Sequence, residues 1–187
     1  MSKYSPTTAV LIVACSAFAV AAPSAGHTPS AAPYAGQQSR AVTSLSADDV
    51  ADLLAGRGWG LAKPAEFNGF PGPAHVLELA EQLALTSEQR AKVEASFQAM
   101  NAKARQVGAR YVAAEHAIDA AFRSGTPAST LADRLGDAER LRAELRHIHL
   151  AAHLEVTPLL TPDQRATYQR LRGYTGAADS EQRQHKH

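Results

Sequence analysis

Between Leu85 and Phe122 the apolar positions Val93, Phe97, Met100, Ala104, Val107, Tyr111, Ala114 and Ile118 recur at alternating steps of four and three. This is the heptad spacing that lets one long helix lie against another. Thr86 precedes the seam as a cap, with Gln89 placed to reach back to its N–H. No proline interrupts the run, and Gly108 is its one weak point. At 1.5 Å per residue, about 36 residues reach roughly 55 Å, so the helix needs a partner along its length. The chain supplies one after Gly125-Thr126-Pro127, where Leu131, Leu135, Ala138, Leu141, Leu145, Ile148 and Ala152 form a stripe over residues 128–156. The connection is short, so the two helices are antiparallel neighbours.

Shorter patterns flank this pair. Pro73 opens a helix expected over 74–84, with Val76, Leu77, Ala80 and Leu83 on one side. Thr161-Pro162-Asp163-Gln164 starts a last helix that runs to about Arg172 and ends at Gly173. Ser46 caps a short helix through Ala55. The fold class is therefore all-α: a long antiparallel helical hairpin with short flanking helices.

The organisation expected around the hairpin has four parts. Residues 1–22 read as a secretory signal, with the apolar run 9–22 and a small-residue boundary before Pro23. Residues 23–72 read as an Ala/Pro/Gly-rich linker carrying the short helix at about 46–55. Residues 73–174 form the hairpin domain, and 175–187 a polar tail. Cys15, the sole cysteine, falls inside the signal, so cleavage there leaves no thiol. The alternative is that Ile12-Val13-Ala14-Cys15 acts as a lipobox, which would lipidate Cys15 and bring the hairpin to a membrane. Within the linker, Trp59, Phe67 and Phe70 either clasp the helical body or form an exposed arm that touches a partner.

Composition narrows function more than it narrows fold. Lys plus Arg number 19 and Asp plus Glu 18, interspersed, so nucleic acid is not expected as a partner. Aromatics are only 6% of the chain, which suits slender helical packing. No phosphate-binding glycine loop, nucleophile elbow or His-Glu-x-x-His occurs, so the chain reads as a binding protein and not an enzyme.

Leu85-Thr86-Ser87-Glu88-Gln89 and Leu160-Thr161-Pro162-Asp163-Gln164 repeat one Leu-Thr-x-x-Gln box at the two ends of the hairpin. With a signal in front, the chain resembles the periplasmic LTxxQ family, which includes the chaperones Spy and CpxP and the metal-responsive proteins ZraP and CnrX. The resemblance spans roughly Pro73 to Tyr174. It implies a four-helix fold, a cradle-shaped homodimer and a periplasmic location. The boxes themselves read as structural caps formed by Thr86, Gln89, Thr161 and Gln164, not as an active site.

Two kinds of binding chemistry remain. His149 and His153, four apart on one helix, can share a divalent transition metal ion such as zinc, copper, nickel or cobalt. Further donors are open: His75, Glu155, Glu78, Glu81, or residues of a second copy. In CnrX-like members the ligands include His-x-x-x-His on the first hairpin helix and His-x-x-x-Met on the third. Here the first helix has only His75, and the third carries His149-x-x-x-His153 about one turn early. The leading expectation is metal-responsive binding or sensing of the envelope-stress or heavy-metal-resistance type. The alternative is ATP-independent holding of unfolded clients by Arg134, Arg142, Arg146, Leu150 and Leu154, where long basic side chains adjoin apolar ones. Partners are then unfolded proteins or an envelope signalling protein.

Overall fold

The computed structural model describes residues 32–174. The signal expected at 1–22, Cys15, the linker up to residue 31 and the tail at 175–187 lie outside the described residues. The chain divides into two units after Ala35, and all the helices lie in the second, from Gly36 onward. In order they are α1 (Ala47–Ala55), α2 (Lys63–Phe67), α3 (Pro73–Glu78), α4 (Ser87–Ser124), α5 (Ala128–Val156) and α6 (Pro162–Leu171), with a single 3-10 turn at Thr157–Leu159. Among the described residues there is no strand, and the long helix pair is present as the heptads require.

α4 and α5 pack along their seams. Val93, Met100, Ala104, Val107, Tyr111 and Ala121 are buried on α4, while Phe97, Ala114 and Ile118 are half-buried. Ala138, Leu141, Leu145 and Ala152 are buried on α5. One position of the expected stripe is wrong: Leu135 is 47% exposed. Counting back from Ala138 by four and three gives Arg134 and Leu131, both half-buried. The seam thus passes through Arg134, and Leu135 stands about 100° away around the helix.

α3 is shorter than its apolar pattern suggests. The chain leaves helical geometry after Glu78 and turns back through Ala84, at φ 47. Val76, Ala80 and Leu83 are nonetheless buried. The periodicity correctly marked which residues face inward, but the turn is needed to bring Thr86 into the extended conformation of a helix cap.

The larger difference lies in the stretch read as a linker. From Gly36 to Gly72 it lies on the hairpin as an arm carrying two helices, α1 and α2. Val42, Leu45, Leu53 and Leu61 of the arm share one core cluster with Val107, Tyr111, Ala138, Leu141 and Leu145. Its edge is tied down by Thr43, whose N–H and hydroxyl both donate to Asp119, and by Ser44, whose hydroxyl donates to Glu115 at 2.6 Å. The Asn101 side chain donates to the Ala55 carbonyl at 2.9 Å, closing the end of α1 onto α4. Gly108 is what allows this approach. A Cβ there would collide with the Leu53 carbonyl oxygen. The weak point in α4 is a seat for α1.

Of the three arm aromatics, Trp59 packs on Tyr111 with ring centroids 5.9 Å apart, whereas Phe67 is 64% exposed and meets only the edge of Tyr174 among aromatic rings. The clasp reading holds for Trp59 alone.

Candidate functional site

The two Leu-Thr-x-x-Gln boxes meet at the base of the hairpin. The Thr86 hydroxyl accepts from the Gln89 N–H at 3.1 Å, and the Gln89 Oε1 accepts from the Thr86 N–H at 3.0 Å. Thr161 and Gln164 repeat this at 3.2 and 2.9 Å. Each glutamine then uses its amide nitrogen on the other box. Gln89 Nε2 donates to the Leu159 carbonyl at 2.8 Å and to Gln164 Oε1 at 2.9 Å. Gln164 Nε2 donates to the Leu83 carbonyl at 3.2 Å and to Gln89 Oε1 at 3.0 Å. A glutamate would complete the local cap but has no proton to give those carbonyls. The exchange of amide bonds therefore explains glutamine at both positions. Around it Val76, Leu83, Val93, Val156, Leu160 and Tyr168 form a second core cluster. All four cap residues belong to the scaffold.

Next to this base is a polar cluster that sequence reasoning missed. Glu66, only 7% exposed, accepts from the Tyr168 hydroxyl at 2.9 and 2.8 Å and from His75 Nδ1 at 2.9 Å. With its Nδ1 proton directed at the carboxylate, His75 keeps a lone pair on Nε2, which accepts from Arg172 at 3.4 Å. Burial raises the Glu66 pKa, but the hydrogen bonds from His75 and Tyr168 and the adjacent His153 outweigh it, so the carboxyl stays below its ordinary range. Tyr168 is shifted strongly upward, first by burial and then by Glu66. Little in the sequence marked Glu66. Tyr168 could have been found, since it follows Gln164 by four residues and so shares its inward face.

The metal candidates are not brought together as one set. His149 and His153 lie deeper than the flank position expected from helical phase, at 3% and 6% exposed. The arm and its loop cover the face they share. His153 Nδ1 donates to the Phe70 carbonyl at 2.8 Å, and its ring lies over Gly72, where a Cβ would sit 2.6 Å from Cε1. Any side chain at position 72 would displace that ring. His149 Nε2 is enclosed with no hydrogen-bond partner. Burial, and then the neighbouring His153, lower its pKa to about 4, so it is neutral at neutral pH. His75 is engaged with Glu66, and Glu155 is exposed and accepts from Ser96 at 3.0 Å on the α4 side. Among the described residues no three His, Cys, Asp or Glu side chains converge as a metal cage. The donor set does not fit a metal held by this unit alone.

The residues proposed for client contact divide differently. Arg134 lies in the seam with its Nε enclosed, and offers little to a partner. Arg142 and Arg146 are exposed, Leu150 is half-buried and Leu154 is 62% exposed. These four step by four residues along α5, so they follow one slowly winding line about 18 Å long. At its upper end Arg142 and Arg146 face a cavity of about 260 Å³ lined also by Trp59, Gly60, Leu61 and Pro64. Among the described residues no helix is long and apolar enough to cross a membrane.

No curated protein and no solved structure matches the chain. The sequence profile described as "LTXXQ motif family protein" matches residues 74–172, α3 to the end of α6 and more than half of the chain. With both boxes formed and paired at the base of a helical hairpin, the chain belongs to the LTXXQ motif family.

Proposed function

We propose that the protein is an ATP-independent periplasmic chaperone that holds unfolded polypeptide. The family's general role, as periplasmic chaperones or sensor-type proteins, supports this class. The observation that carries the choice is the line Arg142, Arg146, Leu150, Leu154 on α5, in which guanidinium and apolar surface adjoin without a covering element over Leu154. Such a surface attracts acidic and apolar segments of an unfolded chain weakly and reversibly. Assembly into a homodimer, as the resemblance implies, belongs to the same proposal and is tested by sedimentation.

The test is suppression of client aggregation, followed by light scattering on a chemically denatured client diluted into buffer. The wild-type protein should delay aggregation, and Leu154→Ser with Arg146→Glu should weaken that delay severalfold. Both side chains are exposed, so the fold should survive. A wild-type protein that leaves client aggregation unchanged removes the reading.

Metal-responsive binding is the second reading, favoured by one observation: the enclosed, unpartnered Nε2 of His149 beside His153. Two imidazoles need donors from a second copy or from a rearranged arm. Titration with zinc, copper, nickel and cobalt at pH 7 and pH 5, on protein lacking His185 and His187, is decisive. Binding that weakens toward pH 5 supports it, and an absence of stoichiometric binding ends it.

A further inference from the structure

The cavity where the arm crosses α5 is not explained by family membership. Trp59, Gly60, Leu61 and Pro64 come from a stretch that precedes the family-matched residues, and only Arg142 and Arg146 come from within them. No carboxylate lines it. Arg142 is loosely held, its Nη1 lying 3.6 Å from Glu139, and no carboxylate among the described residues lies within ion-pair distance of Arg146. Four residues apart on one helix, the two guanidiniums present their donors to the same side. The apolar wall is fixed in place. The Trp59 indole N–H donates to Asp49 at 2.7 Å, its ring rests on Tyr111, and its backbone sits at φ 43 between Gly58 and Gly60. A bulky residue in that left-handed region is uncommon, and such strain persists where surrounding contacts impose it, often beside ligand sites.

We propose that this cavity captures the C-terminal residue of an unfolded polypeptide, its aromatic or branched aliphatic side chain against Trp59, Leu61 and Pro64 and its carboxylate on Arg142 and Arg146. Size and charge both favour this occupant. At about 260 Å³ the space admits one large side chain, and it is smaller than the roughly 300–1,000 Å³ usual for small-molecule pockets. Paired guanidiniums recognise a carboxylate through charge-assisted bonds, and a chain terminus carries carboxylate and side chain on one residue. The proposal rests on the holding reading and gives the α5 line a defined starting point.

Trp59 is the only tryptophan, so its emission reports the cavity directly. Full-length protein would be titrated with the peptide Gly-Ser-Gly-Ser-Ala-Phe as free acid and as C-terminal amide. The acid should change the emission saturably, about tenfold more tightly than the amide, a ratio equivalent to losing one charge-assisted contact. The double variant Arg142→Ala, Arg146→Ala should bind the acid at least about tenfold more weakly, with unchanged circular dichroism because both side chains are exposed. Equal affinity for acid and amide, no saturable change, or an unaffected double variant would each overturn the proposal. So would 3-phenylpropionate binding as tightly as the peptide, since the occupant would then be a small acid. Aggregation assays run in parallel separate the two readings. Peptide binding without suppression upholds the cavity and removes the holding role, whereas suppression without peptide binding removes the cavity and leaves the role.

Discussion

The base of the hairpin and its arm-covered upper part are both well packed, but they are built by opposite means. At the base, Thr86, Gln89, Thr161 and Gln164 make bonds that begin locally, three residues apart, and then join the two boxes. In the upper part, Leu53 and Leu61 reach a core whose other members, Val107, Leu141 and Leu145, lie far along the chain, and local signals there are few. The base is family property, whereas the arm precedes the matched residues. The shared scaffold is thus written in short motifs, and the feature particular to this chain is written in surface fit.

Substitutions can break that contrast, and the largest effect is expected in the arm. Leu53 is fully buried, so Leu53→Ala should cost about 2–5 kcal/mol in urea unfolding. A true linker would lose nothing, and a cost near zero would return the arm to that status.

The next effect is one of pH. His149 has its pKa lowered to about 4, so between that value and its unfolded value of 6.5 the unfolded chain binds more protons than the folded one. Its stabilising contribution is full above pH 6.5 and declines as pH falls toward 4, by about 3 kcal/mol in all. His149→Leu should flatten that part of the stability profile. A wild-type curve that is level from pH 6.5 to 4 would show that the ring is hydrated or partnered.

At the base, Gln89→Glu should cost about 1–3 kcal/mol at neutral pH, because a carboxylate replaces a donor beside the Leu159 carbonyl and Gln164 Oε1. Part of that should return on acidification, when the carboxyl regains a proton. Thr86→Ala should be mildest, at about 1 kcal/mol by thermal melting, since only one local bond is removed. Should the Glu and Ala substitutions prove equal, the bonds between the boxes add nothing to the local caps.

Legibility followed the same division. Capping boxes, helix phase and the hairpin connection are interactions within a few residues, and α4, α5 and α6 came out close to the expected bounds. Leu135 was misplaced because an apolar residue next to a seam position looks like a seam position, and only the count through Arg134 separates them. Gly108 looked like a defect because its partner, the Leu53 carbonyl, is distant in sequence. Glu66 carried no signal because what keeps it buried and charged, Tyr168 and His75, is assembled only by the fold. Of the candidate site residues, exposure separated Arg142, Arg146 and Leu154 from Arg134, a distinction that periodicity could not make.

The crossed amides of Gln89 and Gln164 also bear on the order of folding. Each cap can form as soon as its own turn of helix does, but the second bond of each side chain spans 75 residues and must await closure of the hairpin. Until then, both carboxamides face water with their donors uncommitted. Their mutual contact acts as a late checkpoint: it ties the fraying of one helix start to that of the other, so the two ends of the hairpin open together or not at all.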